Sequence, residues 1–433
     1  MKRIIVSILA FACVLSLSAQ SARQEILQNK CLSGSNLLAY PGPLQAKLTP
    51  APKGYTPFYI SHYGRHGSRY LIGAKAYDYA VQVLGRADSL GKLTPKGKEV
   101  LRDAILLRQE AHNRDGELTQ LGGEQHQAIA KRMFERFPQV FAGKTPVDAK
   151  STVVIRCIFS MENAVQQLIR MNPQIQLTQD ASQHDMYYMN ADIPNFWEKV
   201  YPKEVGQKYE AFAKKHRDCS HLMGVLFNDT AYVHHEVSVE KLRYRLFELA
   251  NSIQGTELRH RINLYDIFTD DEIYNGWLLN NARWYIQYGP YPGNGGIAPY
   301  SQSNLLRKII EESDSCMQYP HPGATLRYAH EVDVMPLACL LELDNCGKQE
   351  ADLEKVAGFW KNYRIFPMAC NIQFIFYRKS AQDKDVLFKV LLNENEARLP
   401  LKTDQAPYYH WKDFKEYYLK KINRFATHYV YVR

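Results

Sequence analysis

Cysteine is scarce in this chain, eight in 433 residues, too few for a fold stapled by disulfides. No C-x-x-C occurs, which argues against a zinc ribbon or a thioredoxin-type site. No cysteine is followed by arginine six positions on, which removes a C-x5-R cysteine phosphatase. G-x-S-x-G is absent, which disfavours an α/β-hydrolase. Gly143-Lys144-Thr145 resembles the end of a P-loop, but Pro138 occupies the place of its first glycine. Beyond the N-terminus no apolar run reaches the roughly 20 residues that a membrane span needs. Strong charge is also missing. Lys and Arg (54) exceed Asp and Glu (45) by only 9, too weak a bias for nucleic acid but compatible with a small anionic ligand.

The N-terminus, by contrast, has a definite pattern. Lys2 and Arg3 precede an almost wholly apolar stretch from Ile4 to Leu17, and the small residues Ser18 and Ala19 follow. This reads as an export signal over residues 1–19, which places the mature chain in the periplasm or outside the cell. Its removal leaves a balance of +7 and seven cysteines, an odd number, so at least one thiol lacks an internal partner.

Strand and helix patterns alternate along much of the remainder. A β-rich run, Thr56–Tyr63, is followed by a helical face at Ala76, Ala80, Val83, Leu84 and Ala87 that Gly91 would end. Thr119 is a plausible N-cap for a helix running to Pro138. Thr152-Val-Val-Ile-Arg156 reads as a buried strand, with Ser160 capping the next helix. Further strands are expected at Ala324–His330, Ile372–Tyr377 and Val386–Leu392, with a helix at Val334–Leu343. The expectation is an α/β fold with a mostly parallel sheet flanked by helices. Residues 172–300 differ in texture: helical, and rich in Tyr, Trp and basic side chains. They read as a helical insertion that caps the substrate pocket and splits an α/β domain into 20–171 and 301–433.

One motif carries chemistry. Arg65-His66-Gly67-Ser68-Arg69 sits between a strand and a helix, where open α/β sheets bind ligands. Arginine offers a fork of donors suited to phosphate oxygens, and a neutral imidazole nitrogen can attack phosphorus. Gly67 would let the backbone turn tightly. Arg156, at the end of the expected strand, and His330 with Glu331, at the end of another, add complementary groups. Each alone would be read as structural; three strand ends together make a site. His234-His235-Glu236 could suggest a metal site, but adjacent histidines diverge on a helix or strand, and a solvated pair is the better reading.

With these residues in view, the sequence resembles the histidine acid phosphatases, the branch of the histidine phosphatase superfamily that contains phytases and multiple inositol polyphosphate phosphatases. The long form Tyr63-Gly-Arg-His-Gly-Ser-Arg-Tyr70 is most similar to the bacterial inositol polyphosphate phosphatase group. Supporting matches are Gly116-Glu-Leu-Thr-Gln-Leu-Gly122 with His126, Ser151-Thr-x3-Arg156-Cys-x2-Ser160, His330-Glu331 and Leu391-Leu-Asn-Glu394. The resemblance implies a phosphoglycerate-mutase-like fold. It also implies His66 as the nucleophile that forms a phosphohistidine, and Arg65, Arg69, Arg156 and His330 as ligands of the phosphoryl group. Glu331 would be the proton donor, with Asp333 as the alternative. Relatives carry His-Asp or His-Ala-Glu here, whereas this chain has His330-Glu331-Val332-Asp333. No metal or other cofactor is implied. The expected activity is hydrolysis of phytate or another inositol polyphosphate by a chain expected to act as a monomer. The alternatives are a sugar-phosphate or broad acid phosphatase, and a non-catalytic phosphate-ester-binding protein.

Overall fold

A computed structural model describes residues 21–426 except Asp192 and Pro194; the signal reading at 1–19 lies outside the described residues. One eight-stranded sheet organises the fold: β1 (Thr56–Arg65), β2 (Pro146–Ser151), β3 (Gln176–Asp180), β4 (Gly323–Ala329), β5 (Asn371–Arg378), β6 (Leu387–Leu392), β7 (Asn395–Ala397) and β8 (Tyr409–His410). The order is β3-β2-β4-β1-β5-β6-β7, with β8 also on β6. The sheet is parallel from β3 to β1 and antiparallel from β5 onward. The α/β class is as expected, but its parallel part is only half of the sheet.

Alternation along β1 explains the layering. Tyr59 and Tyr63 enter the larger apolar core, while Ile60 enters a second core on the opposite face, as the period of two in a strand requires. The principal helices are α1 (Lys75–Ser89), α2 (Pro95–Glu110), α3 (Gln120–Arg136), α4 (Ile155–Met171), α5 (Lys203–Lys214), α6 (Val239–Ser252), α7 (Asp270–Tyr288), α8 (Ser303–Cys316), α9 (Glu331–Leu340) and α10 (Trp411–Ala426). Helices α3 and α4 cover the second core through Ala130, Met133, Met161, Val165 and Leu168. Helices α8, α9 and α10 cover the first through Leu305, Ile309, Met335 and Phe414. With both faces covered, β4 and β5 are buried throughout.

Thr119 caps α3 as expected, accepting a hydrogen bond from Gly122 N at 3.2 Å. Past α1, Gly91 takes φ +66 and Lys92 N donates back to Ala87 O at 2.8 Å, the Schellman closure that ends a helix.

Four expectations are corrected. Thr152–Arg156 is not a strand. The strand is the preceding Pro146–Ser151, whose polar Asp148 and Lys150 conceal it, and α4 begins at Ile155 with that side chain 63% exposed. The β-branched run marks propensity only, and tertiary pairing overrides it. Ser160 therefore lies within α4 rather than capping it. Helix α9 starts at Glu331 rather than Val334, so His330 is its N-cap residue. Within 172–300 the chain is mainly helical, but β3 falls there and extends the sheet. The seven described cysteines are all free thiols.

Candidate active site

The carboxyl ends of parallel β1 and β4 lie side by side, with Arg65 opposite Ala329. Past β1 the backbone stays tied down: Arg65 N donates to Cys370 O at 2.8 Å, His66 N to Ala329 O at 2.9 Å, and Ala369 N to His66 O at 2.9 Å. The loop then crosses the start of α3. A Cβ built on Gly67 would lie 2.7 Å from Gly122 Cα, and one on Gly122 would lie 2.8 Å from Ser68 N. The two glycines let two backbones touch. Gly67 has no positive φ, so close approach rather than a tight turn explains it. Gly67 N donates to Ser160 Oγ (3.1 Å), which donates to Arg156 O (2.8 Å). Ser68 is held through its N–H and Oγ by Gln125, both at 2.9 Å.

His66 is fully buried, and its Nδ1 lies 2.9 Å from Gly67 O. A carbonyl only accepts, so Nδ1 carries the proton and Nε2 presents its lone pair. Burial holds the imidazole well below its ordinary pKa; Glu331 opposes this, while Arg65 and Arg69 add to it. The ring is thus neutral, with a free lone pair at Nε2.

Around it are guanidinium groups with donors to spare. Arg65 Nη1 donates to Phe366 O (3.1 Å) and Arg69 Nη1 to Tyr70 O (3.0 Å). Arg65 Nη2, Arg69 Nε and Arg156 Nε are buried without an acceptor among the described residues. Burying unpaired polar groups is costly, and such donors are available to an oxyanion. Arg156, moved from a strand end to the first turn of α4, still reaches the site: its Nη2 is 3.5 Å from His330 Nδ1. His330 Nε2 is 3.2 Å from Thr152 Oγ1, and burial lowers its pKa to about 4.

Glu331 Oε2 lies 3.0 Å from Arg65 Nε and 3.5 Å from His66 Nε2, and Oε1 lies 4.0 Å from Arg69 Nη2. Burial alone would raise its pKa, but the guanidinium of Arg65, with that of Arg69, holds it well below the usual carboxylate range. Asp333, two residues on, is held well above that range by burial. Its surroundings include Gln302 and Tyr63 rather than the arginines, and its Oδ2 has no partner among the described residues.

Ligand atoms of His66, His330 and Glu331 lie within 4.8 Å of one another, as metal ligands can. Three guanidiniums border the same space, so its field favours an anion. A cleft of about 780 Å³ opens from Arg69 and Glu331. Its lining also carries Arg217, Lys241, Arg243 and Arg283, the carboxylates Glu210, Glu240 and Glu248, and Tyr209, Tyr244 and Trp284. Arg217 pairs with Glu210 at 2.9 Å; Arg243 Nε is buried without a partner among the described residues. Thus His66, Arg65, Arg69, Arg156, His330 and Glu331 converge, while Asp333 is buried beside Gln302 and Tyr63. Sequence reasoning missed Asn36 and Gln125, polar residues in ordinary contexts whose role appears only in contact.

Two histidines on adjoining strand ends, a ring of guanidiniums and a carboxylate meet at one end of a helix-flanked sheet, in surroundings suited to an anion. The chain belongs to the histidine phosphatase superfamily (branch 2), whose family model it matches over residues 64–393. Among solved structures it is similar to the multiple inositol polyphosphate phosphatase of Bifidobacterium longum. In that enzyme's phosphate complex the TM-score is 0.73 at 19% identity, covering 90% of this chain and 98% of that one. In its inositol hexasulfate complex the TM-score is 0.72 at 19% identity, covering 88% and 96%. The phytase from D. castellii is similar at TM-score 0.65 and 14% identity, covering 95% of this chain and 89% of that one. No curated protein matches the sequence. No helix among the described residues is long and apolar enough to cross a membrane.

Proposed function

We propose that this chain is an exported, metal-independent phosphomonoesterase that hydrolyses inositol polyphosphates through a phosphohistidine. The carrying observation is the neutral His66 inside a ring of under-used guanidinium donors, opening into a cleft whose lining holds further cations. A phosphoryl group between Arg65, Arg69 and Arg156 would place phosphorus before Nε2. The Nε2–P bond forms as the P–O bond to the leaving alcohol breaks, and the guanidiniums neutralise the equatorial oxygens. Glu331 gives its proton to the leaving oxygen, then as carboxylate takes one from the water that attacks the phosphohistidine and frees His66. In the free site its low pKa leaves it ionised, so the proton must arrive with the substrate. A phosphoryl dianion draws Arg65 and Arg69 away and adds a like charge, so substrate binding raises the Glu331 pKa and loads the proton. The stretch 172–300 supplies Tyr209, Arg217, Lys241, Arg243 and Arg283 and, apart from β3, is assigned as the pocket-bearing insertion of a domain split into 20–171 and 301–433.

Phytate is expected to be turned over with higher kcat/KM than glucose 1-phosphate at fixed salt, in assays containing a divalent-metal chelator throughout. Arg243→Ala should raise KM for phytate about tenfold, the scale of one lost charge-assisted hydrogen bond, and leave p-nitrophenyl phosphate nearly unchanged. A clear preference for the sugar phosphate would move the reading to a sugar-phosphate phosphatase. Activity lost to the chelator and restored by a divalent ion would sink the metal-independent mechanism, and binding without phosphate release would make the chain a phosphate-ester-binding protein.

The donor is separately testable. Glu331→Gln should slow single-turnover phosphorylation by phytate about 10²-fold or more, the scale of general acid catalysis, and much less with p-nitrophenyl phosphate, whose leaving group needs no proton. Asp333→Asn should show no such dependence on the leaving group. The reverse pattern would exchange their roles.

A further inference from the structure

Asn36 lines the cleft, and its Nδ2 lies 3.4 Å from Glu331 Oε1. It belongs to the segment ahead of β1, far in sequence from every motif of the site. The residue before it, Ser35, has φ 56 and ψ −120, backbone that side-chain-bearing residues avoid. Such strain persists only where the surroundings over-determine it, and it clusters at functional sites.

Here the surroundings are visible. Ser35 Oγ donates to Asn280 Oδ1 (2.8 Å) and accepts from Asn362 Nδ2 (2.6 Å). Asn362 is itself fixed by Trp277 Nε1 (2.8 Å) and, through its N–H, by Asn281 Oδ1 (2.9 Å). On either side the segment is latched again. Ala39 N donates to Gln254 Oε1 (3.0 Å), and Met368 N donates to Leu38 O (2.8 Å). The short helix Ala22–Gln28 is anchored by buried Glu25, which pairs with Lys361 (2.6 Å) and Arg364 (2.8 Å). A strained turn held this firmly, next to an amide facing a reactive carboxylate, has a directional purpose.

We propose that Asn36 is a positioning residue for the acid–base carboxylate of Glu331; the inference rests on the donor role given above. Arg65 holds Oε2, and Asn36 holds Oε1. When a phosphoryl group takes over Arg65, Asn36 is the partner that remains, keeping the carboxyl beside the leaving oxygen. An amide suits this task better than a cation. Its N–H donates equally to a carboxylate oxygen and to the carbonyl oxygen of the protonated acid. It therefore holds Glu331 through both half-reactions without fixing it in the charged form.

The test is a double-mutant cycle on the full chain, read as single-turnover phosphorylation rates with phytate and p-nitrophenyl phosphate. Asn36→Ala should slow the phytate reaction about tenfold and the p-nitrophenyl phosphate reaction by less than about threefold, with KM for the latter unchanged. In the Glu331→Gln background the same substitution should add nothing, because its effect passes through the missing acid. Asn36→Leu, which keeps the bulk without the donor, should behave alike and stands in if the alanine variant misfolds. Equal losses on both esters, or losses that add to those of Glu331→Gln, would overturn the proposal. If Glu331→Gln shows leaving-group dependence and the Asn36 variants do not, this inference alone fails. If Glu331→Gln shows none, the donor role falls first and this inference falls with it.

Discussion

His66→Ala should lower kcat by about 10⁴-fold or more while leaving a folded protein, the scale on which removing a catalytic nucleophile acts in other hydrolases. The histidine is neutral and makes one side-chain hydrogen bond, to Gly67 O. Its loss therefore leaves no buried charge unpaired, and stability should fall by about 1–3 kcal/mol, as for an ordinary core truncation. Phosphate release in the steady state and a thermal unfolding curve check both halves. The guanidinium ring survives in this variant, so inorganic phosphate should still bind. Substantial turnover by folded His66→Ala protein would remove the phosphohistidine from the mechanism.

The second large effect comes from a residue that touches no substrate. Gly122→Ala places a methyl group against the backbone of Ser68, where nothing flexible can yield. The loop carrying His66 and Arg69 must shift or the helix start must move. Overpacking of this kind costs about 1–3 kcal/mol, and a displacement near 1 Å at the reacting groups costs about 10²-fold in rate. Gly85→Ala is the matched control: it lies in α1 with nothing within 4 Å of the new Cβ. It should stabilise the protein by up to about 1 kcal/mol through helix propensity alone and leave kcat unchanged. Denaturant unfolding and kcat on both variants decide the matter. A neutral Gly122→Ala would mean that the loop and α3 are not in register as described.

The chemistry was legible because it is written locally. Arg65, His66 and Arg69 fall within five residues, and His330-Glu331 adjoin at the end of an apolar strand; such proximity survives any uncertainty about the fold. Strands β1, β4, β5 and β6 were legible for the related reason that strands covered on both faces read as apolar runs. Strand β2 was not, because Asp148 and Lys150 interrupt its pattern, and Thr152–Ile155 beside it has the propensity without the pairing. Arg156 reached the site all the same, since the first turn of α4 follows the strand end closely. Asn36 was illegible in principle. Its position depends on Ser35, Asn280 and Asn362, which meet only after the helical layer, the N-terminal segment and the 362–366 turn have packed together. The antiparallel half of the sheet was hidden because periodicity reports that a strand exists, not which way its neighbour runs.

The two borders of the sheet have a consequence for how this molecule meets others of its kind. On one side β3 is five residues long, and Gln176, Thr178, Gln179 and Asp180 meet solvent or are only half-buried. On the other, β7 has three residues, and Gln45 and Thr49 cross it, donating to Asn395 and Glu396 at 2.7–3.0 Å and accepting from Glu396 N at 2.9 Å. An open, apolar border invites another chain to add a strand; short, polar or covered borders refuse it. Neither border offers another chain a long apolar edge on which to extend the sheet.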